Sequence, residues 1–322
     1  MIRVSAPGRL HFGFGNLSLS HSRLYGAIGI AIDGPKTIVT ASQAEMVRCD
    51  NEIIRQYATQ VCEDFSLPGV ELTLDAQLPR HTGLGSGTQL ALAVLVATLQ
   101  TYEQAVDVRS YAPTLGRGGR SGVGVAAFEN GGFVLDGGHP TTRFTTDRPA
   151  DGEWTVPPVI AQHQIPDSWR FVLVFPDVPG GRNGGEEDES MRAVIERADP
   201  QLADRISGLI VRQILPAVAG GRVEEFGNAI AELGRLNGAW YADEQGGVYR
   251  PPVGSIVESL SSKPSIYGAG QSSWGPAVYG VTDQGQVAAA KKAGQRALAD
   301  AGVAGDVLVV SGRNSGAAIE TL

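Results

Sequence analysis

The chain has 322 residues, about twice the length of a typical domain, and its formal charge of −8 comes with basic residues scattered rather than gathered in blocks, which argues against nucleic acid or an anionic membrane as the main partner. Hydrophobic residues at 42% and charged residues at 19% exclude a disordered tail, and two cysteines, Cys49 and Cys62, with five histidines form neither a disulfide framework nor a zinc spacing. Glycine is the outlier: 43 residues of 322, about 13% against roughly 7% in average composition. With no G-X-Y period and no low-complexity tract, these glycines belong to folded turns and loops, where backbone N–H groups can approach a small anionic ligand closely.

Ile2-Arg-Val-Ser-Ala alternates as a strand and is expected to end at Pro7-Gly8. Ala27 to Ile32 forms a second short run before the turn Asp33-Gly-Pro35, and Lys36 to Ala41 reads as its strand partner across that turn. Ile53, Ile54, Tyr57, Val61 and Phe65 place a helix over 51–65, stopped by Leu67-Pro-Gly69, and Val70 to Leu74 alternates as a strand. Ser86 to Glu103 is the clearest helix, with Leu90, Ala91, Val94, Leu95 and Leu99 making an almost wholly buried stripe. Gly122 to Phe128 and Gly132 to Asp136 read as strand or strand-turn material. The stretch from Thr141 to Pro158 is polar and proline-rich (Arg148-Pro149, Pro157-Pro158), so a domain boundary is expected near residue 160, dividing the chain into 1–160 and 161–322. Beyond it, Arg170 to Phe175 is a buried strand, and Gln201 to Leu215 and Arg222 to Asn237 are amphipathic helices. Ser265 to Tyr267 and Ala277 to Val281 are short strands, Gln286 to Ala301 a helix and Asp306 to Ser311 a final strand. The whole is α+β in two halves. The start, Met1 to Arg9, has no apolar export stretch, and Leu90 to Leu99 is too short to span a bilayer, so a cytoplasmic, membrane-free protein is expected.

The most specific feature is Leu78-Pro-Arg-His-Thr-Gly-Leu-Gly-Ser-Gly-Thr-Gln, which runs straight into the long helix. Gly83, Gly85 and Gly87 leave backbone N–H groups open, Ser86 and Thr88 add hydroxyl donors, and the positive end of the helix dipole points to the same place. This is the pattern of a phosphate or diphosphate cradle over 83–88, without the G-K-[ST] of a Walker A loop or a Rossmann fingerprint. The plainer alternative is a glycine-rich turn with an ordinary helix cap.

Pro79-Arg-His-Thr-Gly-Leu-Gly-Ser-Gly resembles the second motif of the GHMP kinase superfamily, P-x-x-x-G-L-G-S-S-A. Ala6-Pro-Gly-Arg-Leu-His-Phe resembles the first motif, and Ser265-Ile-Tyr-Gly-Ala-Gly-Gln-Ser-Ser-Trp-Gly-Pro the third. The resemblance implies a ribosomal-protein-S5-like first domain and a ferredoxin-like second one, with the active site between them. Within the superfamily, Arg9-Leu-His-Phe, Asn16-Leu, Arg23-Leu-Tyr-Gly-Ala-Ile-Gly-Ile-Ala-Ile and the stretch from Gly118 to His139 resemble the β-ribofuranosylaminobenzene 5′-phosphate synthases. Members of that family condense phosphoribosyl diphosphate with 4-aminobenzoate, releasing CO2 and pyrophosphate, in methanopterin biosynthesis. The resemblance therefore implies a pentosyltransferase acting on phosphoribosyl diphosphate and an aromatic carboxylate, 4-aminobenzoate or 4-hydroxybenzoate, and a homodimer. The family often carries Asp where this chain has Asn16, which can hydrogen-bond ribose or ligate weakly but brings no charge.

Such a reaction needs cations and N–H donors for the leaving diphosphate, supplied by loop 83–88 and Mg2+, and further cationic anchors for the 5′-phosphate and the carboxylate. Arg23, Arg117, Arg120 and neighbouring Ser121 are the candidate anchors; the alternative for Arg117 and Arg120 is two solvated arginines in a flexible turn. His11 is either a satisfied structural histidine or a group that orients the arene or moves a proton, and Arg9 either binds anion or holds the first loop by an ion pair. Glu129 is a candidate metal carboxylate. Asp136 and His139 flank Gly137-Gly138 and are either a site edge or a plain turn, the reading that is favoured. The acidic run Glu186-Glu-Asp-Glu189 either closes over magnesium diphosphate or is a solvated, mobile loop, the reading its composition favours. The third motif either lines the site, offering Trp274 as an aromatic face, or is a packing turn. The alternative function is an ATP-dependent small-molecule kinase. Several GHMP kinases carry a base Asp in P-S-G-x-D after the second motif, but here the comparable stretch Arg120-Ser-Gly-Val-Gly124 ends in glycine.

Overall fold

Buried Ile2, Val4 and Ala6 alternate with half-buried Arg3 and Ser5, and the strand they start does not stop at Pro7-Gly8: β1 spans Ile2–Asn16. Its partner is a single long strand, β2 (Arg23–Gln43), so the expected turn at Asp33-Gly-Pro35 does not reverse the chain. Both halves of β2 pair with β1 instead, Gly8 opposite Ile32 and Pro7 opposite Lys36, with a register shift at the Pro7–Gly8 junction. Prolines cannot donate to a ladder, and here Pro7 and Pro35 both lie at the bulge that interrupts it. The computed structural model describes residues 1–105, 107–144, 150–181 and 184–322. Arg148-Pro149 of the proline-rich stretch and Arg182-Asn183, which precede the acidic run, lie outside them.

After β2 come α1 (Glu52–Asp64), β3 (Val70–Ala76), α2 (Ser86–Gln100), the one-turn α3 (Val108–Tyr111) and α4 (Val123–Glu129). They are followed by β4 (Phe133–Asp136), the two-residue β5 (His139–Pro140) and β6 (Val159–His163). The stretch expected as strand at Gly122 to Phe128 is therefore helix α4. Its small residues Gly124, Ala126 and Ala127 are buried, and its start is held by the Asp136 carboxylate, a tertiary anchor that local propensity does not register. The second half contains β7 (Trp169–Pro176), α5 (Gly184–Arg197), α6 (Pro200–Leu209), α7 (Leu215–Ala219), α8 (Val223–Gln245) and α9 (Val253–Ser261). It ends with β8 (Gly268–Gln271), β9 (Val278–Asp283), α10 (Val287–Asp300), β10 (Gly305–Ser311) and β11 (Ala318–Thr321). The helix expected over 201–215 is broken by a π turn at Ile210–Ile214. The strand expected at Ser265 to Tyr267 starts later, at Gly268, where a Cβ would lie 1.9 Å from the Gly227 oxygen of α8. Helix α5 takes up the acidic run that read as a mobile loop.

The first sheet has the order β11-β1-β2-β4-β6, with β3 and β5 also on β2; the second has the order β10-β7-β9-β8. The last strand thus returns to pair with β1, Ile2 opposite Thr321. One face of the first sheet buries α1 and α2, and every residue of α2 from Gln89 to Leu99 is buried, as its all-round apolar sequence requires. The other face packs Leu10, Phe12 and Phe133 against Phe171 of β7 and Phe226 of α8, so α8 is wedged between the sheets. Asn237 of α8 both accepts from the Phe14 N–H at 2.7 Å and donates to the Phe14 carbonyl at 3.0 Å, and Gly13 leaves the room this needs. Helices α9 and α10 cover the far side of the second sheet through Ile256, Ala293 and Val172. Among the described residues no helix is long and apolar enough to cross a membrane.

Candidate active site

The three glycine-bearing motifs meet at the start of α2. Gly83 has φ +87°, and a Cβ there would lie 2.0 Å from the Ser272 oxygen, so the second and third motifs touch backbone to backbone. The Ser272 hydroxyl donates to the Gly83 carbonyl at 2.7 Å and accepts from the His11 N–H at 3.1 Å, and the Ser273 N–H donates to the His11 carbonyl. The first motif closes the triangle through the Arg9 N–H on the Leu84 carbonyl and the Arg9 Nη1 on the Gly83 carbonyl at 2.5 Å. The third motif is therefore the support of the second.

Helix α2 begins on Gly85, which has φ +80° and provides no side-chain cap. The N–H groups of Ser86, Gly87 and Thr88 find no acceptor among the described residues. Two guanidinium groups stand against this open end. A Cβ on Gly85 would lie 3.1–3.5 Å from the side chain of Arg9, and a Cβ on Gly87 would lie 3.1 Å from Nη1 of Arg117. The Nε atoms of both arginines are buried without a hydrogen-bond partner among the described residues. Burial lowers the pKa of Arg9 to about 10, with the charge of Glu187 opposing, so it remains protonated at neutral pH. Arg117 is held by a hydrogen bond to the Tyr57 hydroxyl and lies over the Tyr57 ring. An uncapped helix N-terminus flanked by two guanidinium groups with unspent donors is an anion site.

Beside it opens a cleft of about 900 Å³, reached through Arg117 and Arg120 and walled by Tyr25, His139, Phe144 and Trp154. Arg120 meets Glu187 and Asp188 of α5 at 3.2 and 3.0 Å, so these two carboxylates of the acidic run face the site. Ser121 accepts from the Val123 N–H at the start of α4, and Thr88 packs against Gly124. Of the predicted residues, Arg9, Gly83, Gly85, Ser86, Gly87, Thr88, Arg117, Arg120 and Ser121 thus gather at one place.

The others lie apart. Asn16 is spent on the turn after β1: its Nδ2 donates to the Ser18 and Arg23 carbonyls and its Oδ1 accepts from the Ser18 N–H. Arg23 donates Nε to the Gly137 carbonyl at 2.5 Å and Nη2 to the Gly138 carbonyl at 2.8 Å. His11 is buried, packs edge-on against Phe14 at 4.8 Å and lines a second cavity of about 50 Å³ with Tyr241 and Trp274. Burial, then the charge of Arg9, holds its pKa well below the ordinary range, so its ring is neutral. Glu129 sits at the far end of α4 with its carboxylate on Arg109 at 2.6 Å.

Two residues read as a plain turn carry more than that. Asp136, fully buried, accepts from the Ala27, Gly122 and Gly138 N–H groups at 3.0, 2.7 and 3.0 Å. Burial nevertheless pushes its carboxyl up to about 6. His139 lines the cleft, and burial lowers its pKa. Tyr25, not singled out by the sequence, has φ +74° within β2 and packs at a tilt against Phe14 and edge-on against His139. The one local signal for it was the following Gly26, also left-handed.

Comparison with known proteins gives the same picture of fold and kin. Residues 52–132 match the GHMP kinases N terminal domain and residues 214–300 the GHMP kinases C terminal domain. The chain is 30% identical to a beta-ribofuranosylphenol 5′-phosphate synthase from Methanothermobacter thermautotrophicus, covering 98% of this chain and 97% of that protein. It is 31% identical to one from Archaeoglobus fulgidus, covering 99% and 100%. Among solved structures, L. major mevalonate kinase aligns with a TM-score of 0.69 at 17% identity over 98% of this chain and 96% of that one. The phosphomevalonate kinase of Streptococcus pneumoniae aligns with 0.67 at 14% over 97% and 99%. At those identities the kinases share the fold.

Proposed function

The chain belongs to the β-ribofuranosylphenol 5′-phosphate synthase family, built on the two GHMP kinase domains, and from that premise we propose that it is a pentosyltransferase of methanopterin biosynthesis that joins C1 of phosphoribosyl diphosphate to a 4-substituted benzoate, releasing pyrophosphate and CO2. The observation that carries this reading is the open N-terminus of α2 between Arg9 and Arg117. When the C1–O bond breaks, its electron pair leaves with the diphosphate, and preorganised N–H groups and guanidinium cations stabilise the charge that develops there. The ring carbon bearing the carboxylate supplies the pair for the new C–C bond. Aromaticity returns when the carboxylate departs as CO2 and its bonding pair goes back to the ring.

No proton has to be removed from the attacking atom. That suits a site in which Gly124 touches Thr88 and brings no base, and in which Glu129 is committed to Arg109. Several GHMP kinases set such a base on the acceptor hydroxyl, so its absence favours the transferase. The relatives' name ends in a phenol, which favours 4-hydroxybenzoate as acceptor, with 4-aminobenzoate the second choice. Among the described residues no three His, Cys, Asp or Glu side chains converge on a metal position. Magnesium commonly takes one or two carboxylates and completes its shell with substrate phosphates. Glu187 and Asp188, the carboxylates on the cleft beside Arg120, fit that donor set; there the ion would neutralise the leaving diphosphate.

The test is incubation with phosphoribosyl diphosphate, Mg2+ and carboxyl-labelled 4-hydroxybenzoate or 4-aminobenzoate. Labelled CO2 and pyrophosphate are expected in equal amounts from at least one acid. Absence of CO2 with both, together with acceptor-dependent transfer of γ-label from ATP to homoserine or mevalonate, would replace the transferase with the kinase.

A further inference from the structure

The wall of the large cleft specifies its occupant without reference to kinship. Tyr25, His139, Phe144 and Trp154 offer ring faces and edges, Arg143 offers a guanidinium fork, and Arg120 offers its Nη1, its Nη2 being held by Glu187 and Asp188. Rings pair with rings, and guanidinium with carboxylate, so the lining suits an aromatic acid. Two further observations mark one end of this wall. Tyr25 is held at φ +74°, a conformation that a non-glycine residue adopts only when its surroundings enforce it, and its ring meets His139 edge-on at 6.2 Å. His139 is 8% exposed, and its Nε2 is buried without a hydrogen-bond partner among the described residues. Burial lowers the pKa of the ring and keeps it neutral. With its proton on Nδ1, the neutral ring presents Nε2 as an acceptor, and a buried polar atom left unpaired is costly.

We propose that the cleft is the acceptor subsite and that His139 Nε2 accepts the hydrogen bond of the para O–H or N–H of the bound benzoate, making His139 its specificity-determining residue. The identity of the acid rests on the transferase reading; its class, an aromatic acid with a para donor, rests on the wall. The contact also serves the reaction. As the ring carbon attacks C1, electron density flows out of the para group and its hydrogen becomes more acidic. A hydrogen bond to a neutral imidazole then strengthens on the way to the transition state, and the proton remains with the para group once CO2 has left.

Calorimetric binding of 4-hydroxybenzoate and of 4-fluorobenzoate, similar in size but lacking the donor, tests the subsite without turnover. The wild-type protein is expected to prefer the hydroxy acid at least tenfold, and His139→Phe to reduce that preference to within twofold. The same preference kept in His139→Phe, or none in the wild type, overturns the proposal. Should His139→Phe not fold, histidine-labelled wild-type protein gives the answer by NMR, with the His139 resonance assigned from His139→Gln. The Nε2 signal should move with 4-hydroxybenzoate and stay with 4-fluorobenzoate; an unmoved signal with both overturns it. Failure here is distinct from failure of the transferase reading. CO2 release with an unchanged preference in His139→Phe removes the subsite and keeps the reaction, whereas a His139-dependent preference without CO2 release does the reverse.

Discussion

The start of α2 and the turn between β1 and β2 were both marked by sequence as parts of one site, and they spend their polar groups in opposite ways. At α2, three N–H groups and the Nε atoms of Arg9 and Arg117 remain without acceptors among the described residues. At the β1–β2 turn, Asn16 makes three hydrogen bonds within its own loop, and Arg23 gives Nε and Nη2 to the Gly137 and Gly138 carbonyls. Both places hold arginine, and both lie in motif segments. What separates them is leftover hydrogen-bonding capacity, because buried donors without partners are tolerated where a ligand completes them. Arg23 and Asn16 shape the site from behind; Arg9 and Arg117 face what enters it.

The largest expected effect breaks this comparison at its first side. Arg117→Gln and Arg9→Gln should each weaken binding of phosphoribosyl diphosphate about a hundredfold, close to 3 kcal/mol. Titration calorimetry measures this directly, with pyrophosphate as a second probe. Wild-type affinity in both variants would mean that the two arginines are only packing against glycine. Gly85→Val is a poor substitute, since φ +80° and Arg9 at 3.1 Å make that change a strain on the fold before it touches a ligand.

The cradle was legible because its signal is local: Gly83 and Gly85 stand directly before, and Ser86, Gly87 and Thr88 in the first turn of, a helix whose apolar residues need no partner to be recognised. The first and third motifs were legible as motifs, but that they pack on the second was not. The contact joins Gly83 to Ser272, 189 residues apart. Separation in sequence also hid Asp136, whose donors include Ala27, 109 residues away, as well as Gly122 and its own turn. It also hid the register of β2, since Asp33-Gly-Pro35 has the composition of a turn and only pairing with β1 keeps the strand straight. The acidic run read as solvated for a related reason: Glu187 and Asp188 find Arg120 only after α5 has docked.

Asp136 joins the two regions, and its titration sharpens the comparison. Burial pushes its carboxyl up to about 6, above the value near 3.9 of an unfolded chain. Between those values the folded state keeps a proton that the unfolded state has lost, so stability falls as pH rises from about 4 to about 6, by on the order of 2 kcal/mol, and levels off above. In Asp136→Asn this contribution should vanish from a series of urea melts taken across that window. A slope unchanged in the variant would assign the titration to another group.

The smallest effect concerns Arg23 and decides what the turn does. Its guanidinium grips the carbonyls of Gly137 and Gly138, the two residues before His139, and β5 pairs Leu24 with His139 directly. Loss of that grip loosens the strand end that carries His139, while the α2 cradle, built from other segments, is untouched. Arg23→Gln should therefore raise KM for the benzoate about tenfold, roughly 1.4 kcal/mol, and leave the Kd for phosphoribosyl diphosphate within threefold. A residue that held the 5′-phosphate itself would give the reverse split, weakening phosphoribosyl diphosphate and sparing the benzoate. Arg23→Lys separates the two roles further. A single ammonium can neutralise a phosphate but cannot bridge two successive carbonyls with the fixed fork of a guanidinium, so the lysine variant should behave as the glutamine one does if Arg23 is a clamp. Restoration of full activity by lysine would return Arg23 to the substrate and erase the contrast between the turn and the cradle.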